Sequence, residues 1–259
     1  MLKERIKNIY LSRYILWSMV AKQLKAKYSG SILGISWAVL NPILIMVAIS
    51  FIFSVVFKAG IEKFSLFLLS GILPWMFFSI SLSEATFSIL NQIQLLRQFN
   101  LPKEFLPLSS ILANFLNFLL GLVFIFPIFL IFKPKVIFLL PLLAIVLFLH
   151  LFFVVGLGLL LSILNVFFRD VGHLLSILLM FWFWITPIFY STEMVPLSFR
   201  WIINLNPMMP YVVSYRDVLF FGNMPGFRIF LGAFFWTFFS IALGLGVFLN
   251  LESNLLKRI

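Results

Sequence analysis

Six apolar stretches, each long enough to cross a lipid bilayer as a helix, follow one another almost end to end in this chain. A helix rises about 1.5 Å per residue, so about 20 mostly apolar residues cover the roughly 30 Å of bilayer hydrocarbon. The stretches run from Leu33 to about Phe57, Phe64 to Leu90, Phe105 to Phe132, Val136 to Asn165, Gly172 to Tyr190 and Phe227 to Asn250. Backbone polar groups have no water to bond in lipid, so each stretch is expected to be helical. A mean hydropathy of +1.15 with only 10% charged residues leaves no polar segment long enough for a second domain. The sequence therefore predicts an all-α integral membrane protein with six transmembrane helices, a single transmembrane domain over residues 1–259.

The net charge of +11 would point to a nucleic-acid partner in a soluble protein. Here the basic residues sit at the ends of apolar stretches, where they report topology, and no nucleic-acid partner is expected. One side of the membrane collects Lys3, Arg5, Lys7, Arg13, Lys22, Lys25, Lys27, Arg97, Lys103, Arg169, Lys257 and Arg258. The other collects Lys58, Lys63, Lys133, Lys135, Arg200, Arg216 and Arg228. The excess on the first side predicts that both termini are cytoplasmic, with most of the bias supplied by the N-terminal arm.

That arm, residues 1–32, lacks the compact apolar core of a secretory signal and is expected to stay in the mature protein. It places Ile15, Leu16, Met19, Val20 and Leu24 on one helical face, with Lys22 and Lys25 roughly opposite. This predicts an amphipathic helix in the headgroup layer, near anionic lipid. Lys27 falls on the apolar face, so a solvated basic leader is the other reading. Residues 191–226 are too apolar for an ordinary loop, yet Pro207 and Pro210 prevent either half from spanning. Two short re-entrant helices are expected there, with a structured external cap as the alternative.

Catalytic chemistry is hard to find. Cysteine is absent, the histidines are His150 and His173, and the eight carboxylates are scattered. No HExxH, GxSxG or GxxxxGK[ST] pattern occurs, so no Walker-type site for ATP is expected on this chain. His150 falls near the middle of the fourth stretch, either as a functional group or as a neutral imidazole bonded to a neighbouring helix. Gly156, Gly158, Gly244 and Gly246 would let helices approach closely. Buried carboxylates that would serve ion coupling are nearly missing, although an ion-coupled secondary transporter or channel remains the alternative to an ATP-driven one.

Several segments are recognisable. Tyr28-x-x-Ser31-x-Leu33-Gly34-x-x-Trp37-x-x-Leu40-x-Pro42, the run Asn100 to Ser109, Phe168-Arg169-Asp170-Val171 with His173, Thr186-Pro187-Ile188-Phe189-Tyr190, and Asn206-Pro207-Met208 followed by Tyr215-Arg216-Asp217 occur in order. Together they resemble the permeases of bacterial polysaccharide-exporting ABC transporters. The resemblance implies a homodimer in the bacterial inner membrane, bound to two copies of a cytoplasmic ABC ATPase. It also implies that a lipid-linked polysaccharide of O-antigen type is the substrate. ATP and Mg would be held by the ATPase, with no cofactor or metal on this chain.

The resemblance further implies a coupling helix within residues 91–104, carrying Gln94, Arg97, Gln98, Asn100, Lys103 and Glu104. Residues 191–226 would form an external gate with Arg200, Trp201, Asn206, Pro207, Tyr211 and Arg216. Arg200 and Arg216 would meet phosphate or acidic sugar there, or else pair with Glu193 and Asp217. Trp37, Asn41, Trp182, Trp184 and Tyr190 are candidates to line a substrate channel, where flat rings let sugars slide. Interface anchoring is the other role open to such aromatics. Asn114, Asn117, Ser79, Ser81 and Ser83 would add polar lining or hydrogen-bond between helices.

Overall fold

The computed structural model describes residues 12–52, 63–99 and 101–258, with side chains as far as Leu255. Lys3, Arg5, Lys7, Lys58, Asn100, the expected end of the first span at Phe57 and the side chains of Lys257 and Arg258 lie outside the described residues. All regular structure among the described residues is helical. The longer helices are α1 (Arg13–Tyr28), α2 (Trp37–Phe51), α3 (Phe64–Asn91), α5 (Phe105–Phe132), α6 (Leu140–Phe167), α7 (Asp170–Ile185) and α10 (Phe227–Arg258). Three short ones complete the set: α4 (Ile93–Gln98), α8 (Arg200–Asn204) and α9 (Met209–Arg216), the last continuing into a π turn over Asp217–Phe221.

Five segments are long and apolar enough to span: Gly34–Phe51, Phe64–Asn91, Phe105–Phe132, Pro134–Phe167 and Phe227–Leu255. The expected fifth span, Gly172 to Tyr190, is shorter than the sequence promised. Its helix α7 has 16 residues and ends at Ile185, because Thr186 before Pro187 turns extended at ψ 132°. A residue preceding proline is pushed out of the helical region by the pyrrolidine ring. Prolines inside α2, α3 and α5, namely Pro42, Pro74 and Pro127, leave those helices unbroken.

Helix α3 is the centre of the bundle: 72% of its most apolar window is buried, against 11 to 33% for the other four spans. Around it pack α5, α6, α9 and α7, while α10 lies along α6. The last contact is set by glycine. A Cβ on Gly244 would overlap the Gly156 carbonyl oxygen, and one on Gly156 would overlap the backbone at Ser240 and Ile241. Small residues at such a crossing let two backbones touch, and dispersion and weak hydrogen bonds then substitute for a hydrophobic drive that lipid does not provide.

Polar residues within the spans mostly bond to their own helix. Ser70, Thr86, Ser88, Ser109 and Ser162 donate to carbonyls three or four residues back at 2.7 to 2.9 Å. His150 is fully buried between α3 and α9, 5.0 Å from the Phe77 and Tyr211 ring centroids. Its Nδ1 lies 3.4 Å from the Tyr215 hydroxyl, so the imidazole sits in an aromatic core.

Two apolar clusters mark the two ends of the bundle. Ile89, Leu96, Leu106, Ile163, Phe248 and Leu255 gather the end where α3, α4, α5, α6 and α10 meet, with Met19 of α1 packed against them. The larger cluster fills the rest, to Phe64, Phe129 and Leu219 at the opposite end. The N-terminal arm and the last turns of α10 therefore share the end occupied by α4.

Candidate functional site

At that end, α4 presents two faces. Leu96 is buried in the cluster just described, whereas Gln94, Arg97 and Gln98 are exposed. The remaining residues of the expected coupling set turn inward. Lys103 Nζ donates to the Glu252 carbonyl at 2.6 Å, tying the start of α5 to the end of α10, and Glu104 is buried. The set thus divides into an outward group on α4 and an inward pair that fixes the α4–α5 corner. A six-residue helix is too short to be stable alone, so its anchor at Leu96 is what holds it.

Helix α1 packs on protein along much of its length. Gln23 Nε2 donates to Ser109 Oγ at 2.8 Å, Lys27 bonds to Asn114, and Tyr28 donates to Asn117. Lys27 also pairs with Glu84 of α3 at 3.0 Å, and Asn114 Nδ2 reaches the other Glu84 oxygen at 2.8 Å. Partial burial raises the Tyr28 phenol above its ordinary pKa, which keeps it a neutral donor. The arm expected in the headgroup layer is therefore stitched to α5 and α3 by polar contacts on its Gln23, Lys27 and Tyr28 side. The sequence shows Lys27 as a break in the apolar face but not its partner. The signal was there, since a Glu84 within a span requires a cation or donor nearby.

At the opposite end, residues 186–223 fold into and over the bundle. Asn206 Oδ1 accepts from Trp182 Nε1 at 2.6 Å and from the Met208 amide at 2.9 Å, while Asn206 Nδ2 donates to Thr186 Oγ1 at 2.9 Å. The bond to an amide two residues on is the turn that asparagine favours before a helix, and Pro207 fixes its φ. Pro210 then sits in the first turn of α9, where a missing N–H costs nothing. Tyr211 donates to the Ala233 carbonyl at 2.9 Å and lies 2.7 Å from Thr237 Oγ1, pinning α9 against α10.

Arg216 closes this arrangement. It is buried, and its Nη2 donates to the carbonyls of Pro187 and Ile188 at 2.7 and 2.8 Å, with Nη1 3.4 Å from the Tyr190 carbonyl. Its guanidinium carbon lies 3.8 Å from the Phe67 ring centroid. Gly71 leaves the space for it, since a Cβ there would stand 3.0 Å from Arg216 Nη2. Arg200 bonds likewise to main chain, donating to Val195 and Glu193 carbonyls at 2.9 and 3.0 Å. Tyr190 folds back to cap α7, its hydroxyl donating to the Ile185 carbonyl at 2.8 Å.

Apart from Tyr190 and Arg200, the nominated channel and gate residues fall into two groups. Trp182, Asn206, Pro207, Tyr211 and Arg216 belong to one interlocked scaffold. Trp37, Asn41, Trp184 and Trp201 lie at the surface of the subunit, Trp184 and Trp201 being about three-fifths exposed at 58% and 60%. Trp37 Nε1 donates to Ser31 Oγ at 3.0 Å, which holds the entry to α2.

No group of three metal-binding side chains exists among the described residues, and the chain carries no phosphate-loop motif. A bundle of apolar helices with exposed short elements at both ends defines a multi-pass membrane protein. More specifically, the chain belongs to the ABC-2 type transporter family, whose model matches residues 14–220. It is similar to two proteins of Klebsiella pneumoniae, each named O-antigen export system permease protein RfbA. One is 32% identical over 204 residues, covering 78% of this chain and 79% of that protein; the other is 31% identical over 232 residues, covering 89% of each. A protein of the same name from Myxococcus xanthus is 33% identical over 222 residues, 85% of each chain. The resemblance read from the sequence motifs thus holds across most of the chain, and the chain is of the ABC exporter permease type.

Proposed function

We propose that this chain is the membrane subunit of an exporter that moves a lipid-linked polysaccharide of O-antigen type across the bacterial inner membrane. It acts as a homodimer coupled to two copies of a cytoplasmic ABC ATPase that holds the ATP and Mg, with both termini on the cytoplasmic side. The reading rests on one observation above the others: near-full-length similarity to O-antigen export permeases accompanies a short helix whose polar side, Gln94, Arg97 and Gln98, is exposed at the end of the bundle that α1 and the last turns of α10 share. That helix is the natural contact for the ATPase. Because Leu96 is embedded among the ends of α3, α5, α6 and α10, displacement of α4 shifts those helix ends together. Asn100, Lys103 and Glu104 complete the coupling corner.

The far end acts as the external gate. Tyr211 meets α10 at Thr237, ten residues or about 15 Å along that helix from Phe227. A depth of that order supports α9 as a re-entrant element, and its backbone is enclosed by protein as re-entrant segments require. Trp37, Asn41, Trp184 and Tyr190 face a glycan path completed by a second subunit. In this reading Arg200 and Arg216 hold the shape of the gate through carbonyls, and Trp201 stands at its rim.

The test is reconstitution of the purified chain with and without an ABC ATPase that copurifies with it, in vesicles loaded with lipid-linked glycan. Export that requires both subunits and ATP supports the reading. Flux from the chain alone, driven by an ion gradient, overturns it.

A further inference from the structure

A cleft of about 320 Å³ opens between the start of α3, the end of α5 and the π turn after α9. The start of α3 and α4 lie at opposite ends of the 28-residue helix α3, so this cleft is far from the coupling corner. Its wall is apolar, with Phe129, Phe132, Phe220 and Phe221 prominent, and Lys63 and Lys133 stand on its lining. Lys63 Nζ lies 4.4 Å from the Phe132 ring centroid, so the ring holds the ammonium at the cleft. The attachment points of Lys133 and Lys135 converge on the end of the π turn, where a Cβ on Gly222 would stand 3.9 and 4.0 Å from their Cβ atoms.

Three features together point to an amphiphile. Among the described residues no carboxylate pairs with Lys63, Lys133 or Lys135, while Glu62 lies outside them. The first turn of α3, directly after Lys63, carries no acidic residue, so the positive end of that helix dipole adds to the lysines. The cleft wall itself is phenylalanine and leucine, which a soluble anion would leave unsatisfied but a hydrocarbon chain would cover. Lysines on this side of the membrane also run against the usual bias of basic residues toward the other face. We propose that this cleft binds a lipid that carries a phosphate, its head between Lys63 and Lys133 and its chain against the phenylalanine wall. The site is independent of the coupling scheme and would exist in a transporter powered in any way.

Native mass spectrometry of the full-length chain in detergent tests this with defined probes: phosphatidylglycerol, phosphatidylcholine with the same chains, undecaprenyl phosphate and inorganic phosphate. We expect phosphatidylglycerol to bind at tenfold lower concentration than phosphatidylcholine. Lys63→Gln with Lys133→Gln should erase that preference, Lys63→Arg with Lys133→Arg should keep it, and Arg169→Gln at the other end of the bundle should leave it unchanged. Undecaprenyl phosphate competing with phosphatidylglycerol assigns the site to lipid phosphates in general. Failure to compete assigns it to phospholipid; the proposal stands in both cases. Equal binding of the two phospholipids, or displacement by inorganic phosphate at equal concentration, overturns it. The comparison of lipids uses the unaltered chain, so it decides the matter even where a double variant does not fold.

Discussion

Lys27 of the N-terminal helix reaches Glu84 of the central helix at 3.0 Å, and Asn114 of α5 bonds to both. Three helices far apart in sequence therefore meet at one charged contact. Helix α1, whose Ile15, Met19 and Lys22 line a cleft with Gln94 and Leu95 of α4, is joined by it to the core of the bundle.

Breaking this contact should release the arm without unfolding the bundle. Both side chains are partly exposed, so the pair contributes on the order of 1 kcal/mol and no more. Lys27→Ala or Glu84→Ala should speed amide hydrogen exchange in residues 13–28 several-fold, with α3 and α6 unchanged. The exchange of charges, Lys27→Glu with Glu84→Lys, should restore protection because Asn114 can turn its amide to suit either arrangement.

The crossing of α6 and α10 admits no side chain at Gly244. Gly244→Leu should lower stability by about 3 kcal/mol, at the upper end for overpacking, because the obstacle is the backbone of Gly156 and cannot swing aside. Gly246 has nothing within 4 Å of its notional Cβ, so Gly246→Ala should be neutral or raise the melting temperature slightly. Thermal unfolding in detergent, followed by circular dichroism, distinguishes the two.

His150 tests the difference between a buried polar residue and a working one. Its Nε2 has no hydrogen-bond partner, and its ring is packed by Phe77, Phe118, Tyr211 and Tyr215. His150→Phe keeps an aromatic ring and removes the unsatisfied nitrogen but leaves the Tyr215 hydroxyl without its Nδ1 partner, so stability should fall by about 1 to 3 kcal/mol. Surface display of polysaccharide in cells should persist at more than half the normal level. Loss of export from a folded His150→Phe protein would assign the imidazole a role in transport.

Arg216 should behave as a structural clamp. Hydrogen bonds to a charged donor contribute about 1.5 to 3 kcal/mol each, and this guanidinium holds the Pro187 and Ile188 carbonyls at once. Arg216→Met should cost about 3 kcal/mol or more and loosen residues 186–191, read as faster hydrogen exchange there. Arg216→Lys should recover part of the stability, since one ammonium cannot match the planar fork.

The periodic apolar stretches made the bundle legible, because a chain with so much hydrocarbon has few ways to satisfy its backbone in lipid. The fifth span is shorter than its composition suggests for a local reason: the sequence continues apolar through Ile188 and Phe189, but Pro187 ends the helix geometrically at Ile185. Asn206, Tyr211 and Arg216 could be picked out as residues of one region, yet their bonding was not visible. Which atoms a guanidinium meets depends on the return path of the chain, and here that path brings the carbonyls of Pro187, Ile188 and Tyr190 within hydrogen-bond reach of Arg216. Lys27 and Glu84 were missed as a pair because no spacing in sequence relates residues on helices that meet only in the folded bundle. Gly156 and Gly244 were readable as small residues, and only the packing showed that they touch each other.

The coupling corner gives the sharpest functional expectation. On α4, Leu96 is inward and Gln94, Arg97 and Gln98 are outward, whereas Lys103 is engaged with the Glu252 carbonyl. A substitution at Lys103 therefore confuses docking with folding, and the informative change is on α4 itself. Gln94→Glu with Gln98→Glu alters the charge pattern of the exposed side and leaves Leu96 in place. The variant should keep its melting temperature within about 2 °C, since surface substitutions change stability by about 0.5 kcal/mol or less. If α4 is where the ATPase docks, copurification of the two subunits should fall at least tenfold, and polysaccharide export should fall with it. Leu96→Asp should differ in stability alone, losing export together with a lowered melting temperature. Normal copurification and export in the Gln94→Glu, Gln98→Glu protein would remove α4 from the docking surface and leave α1 beside it as the next contact to test.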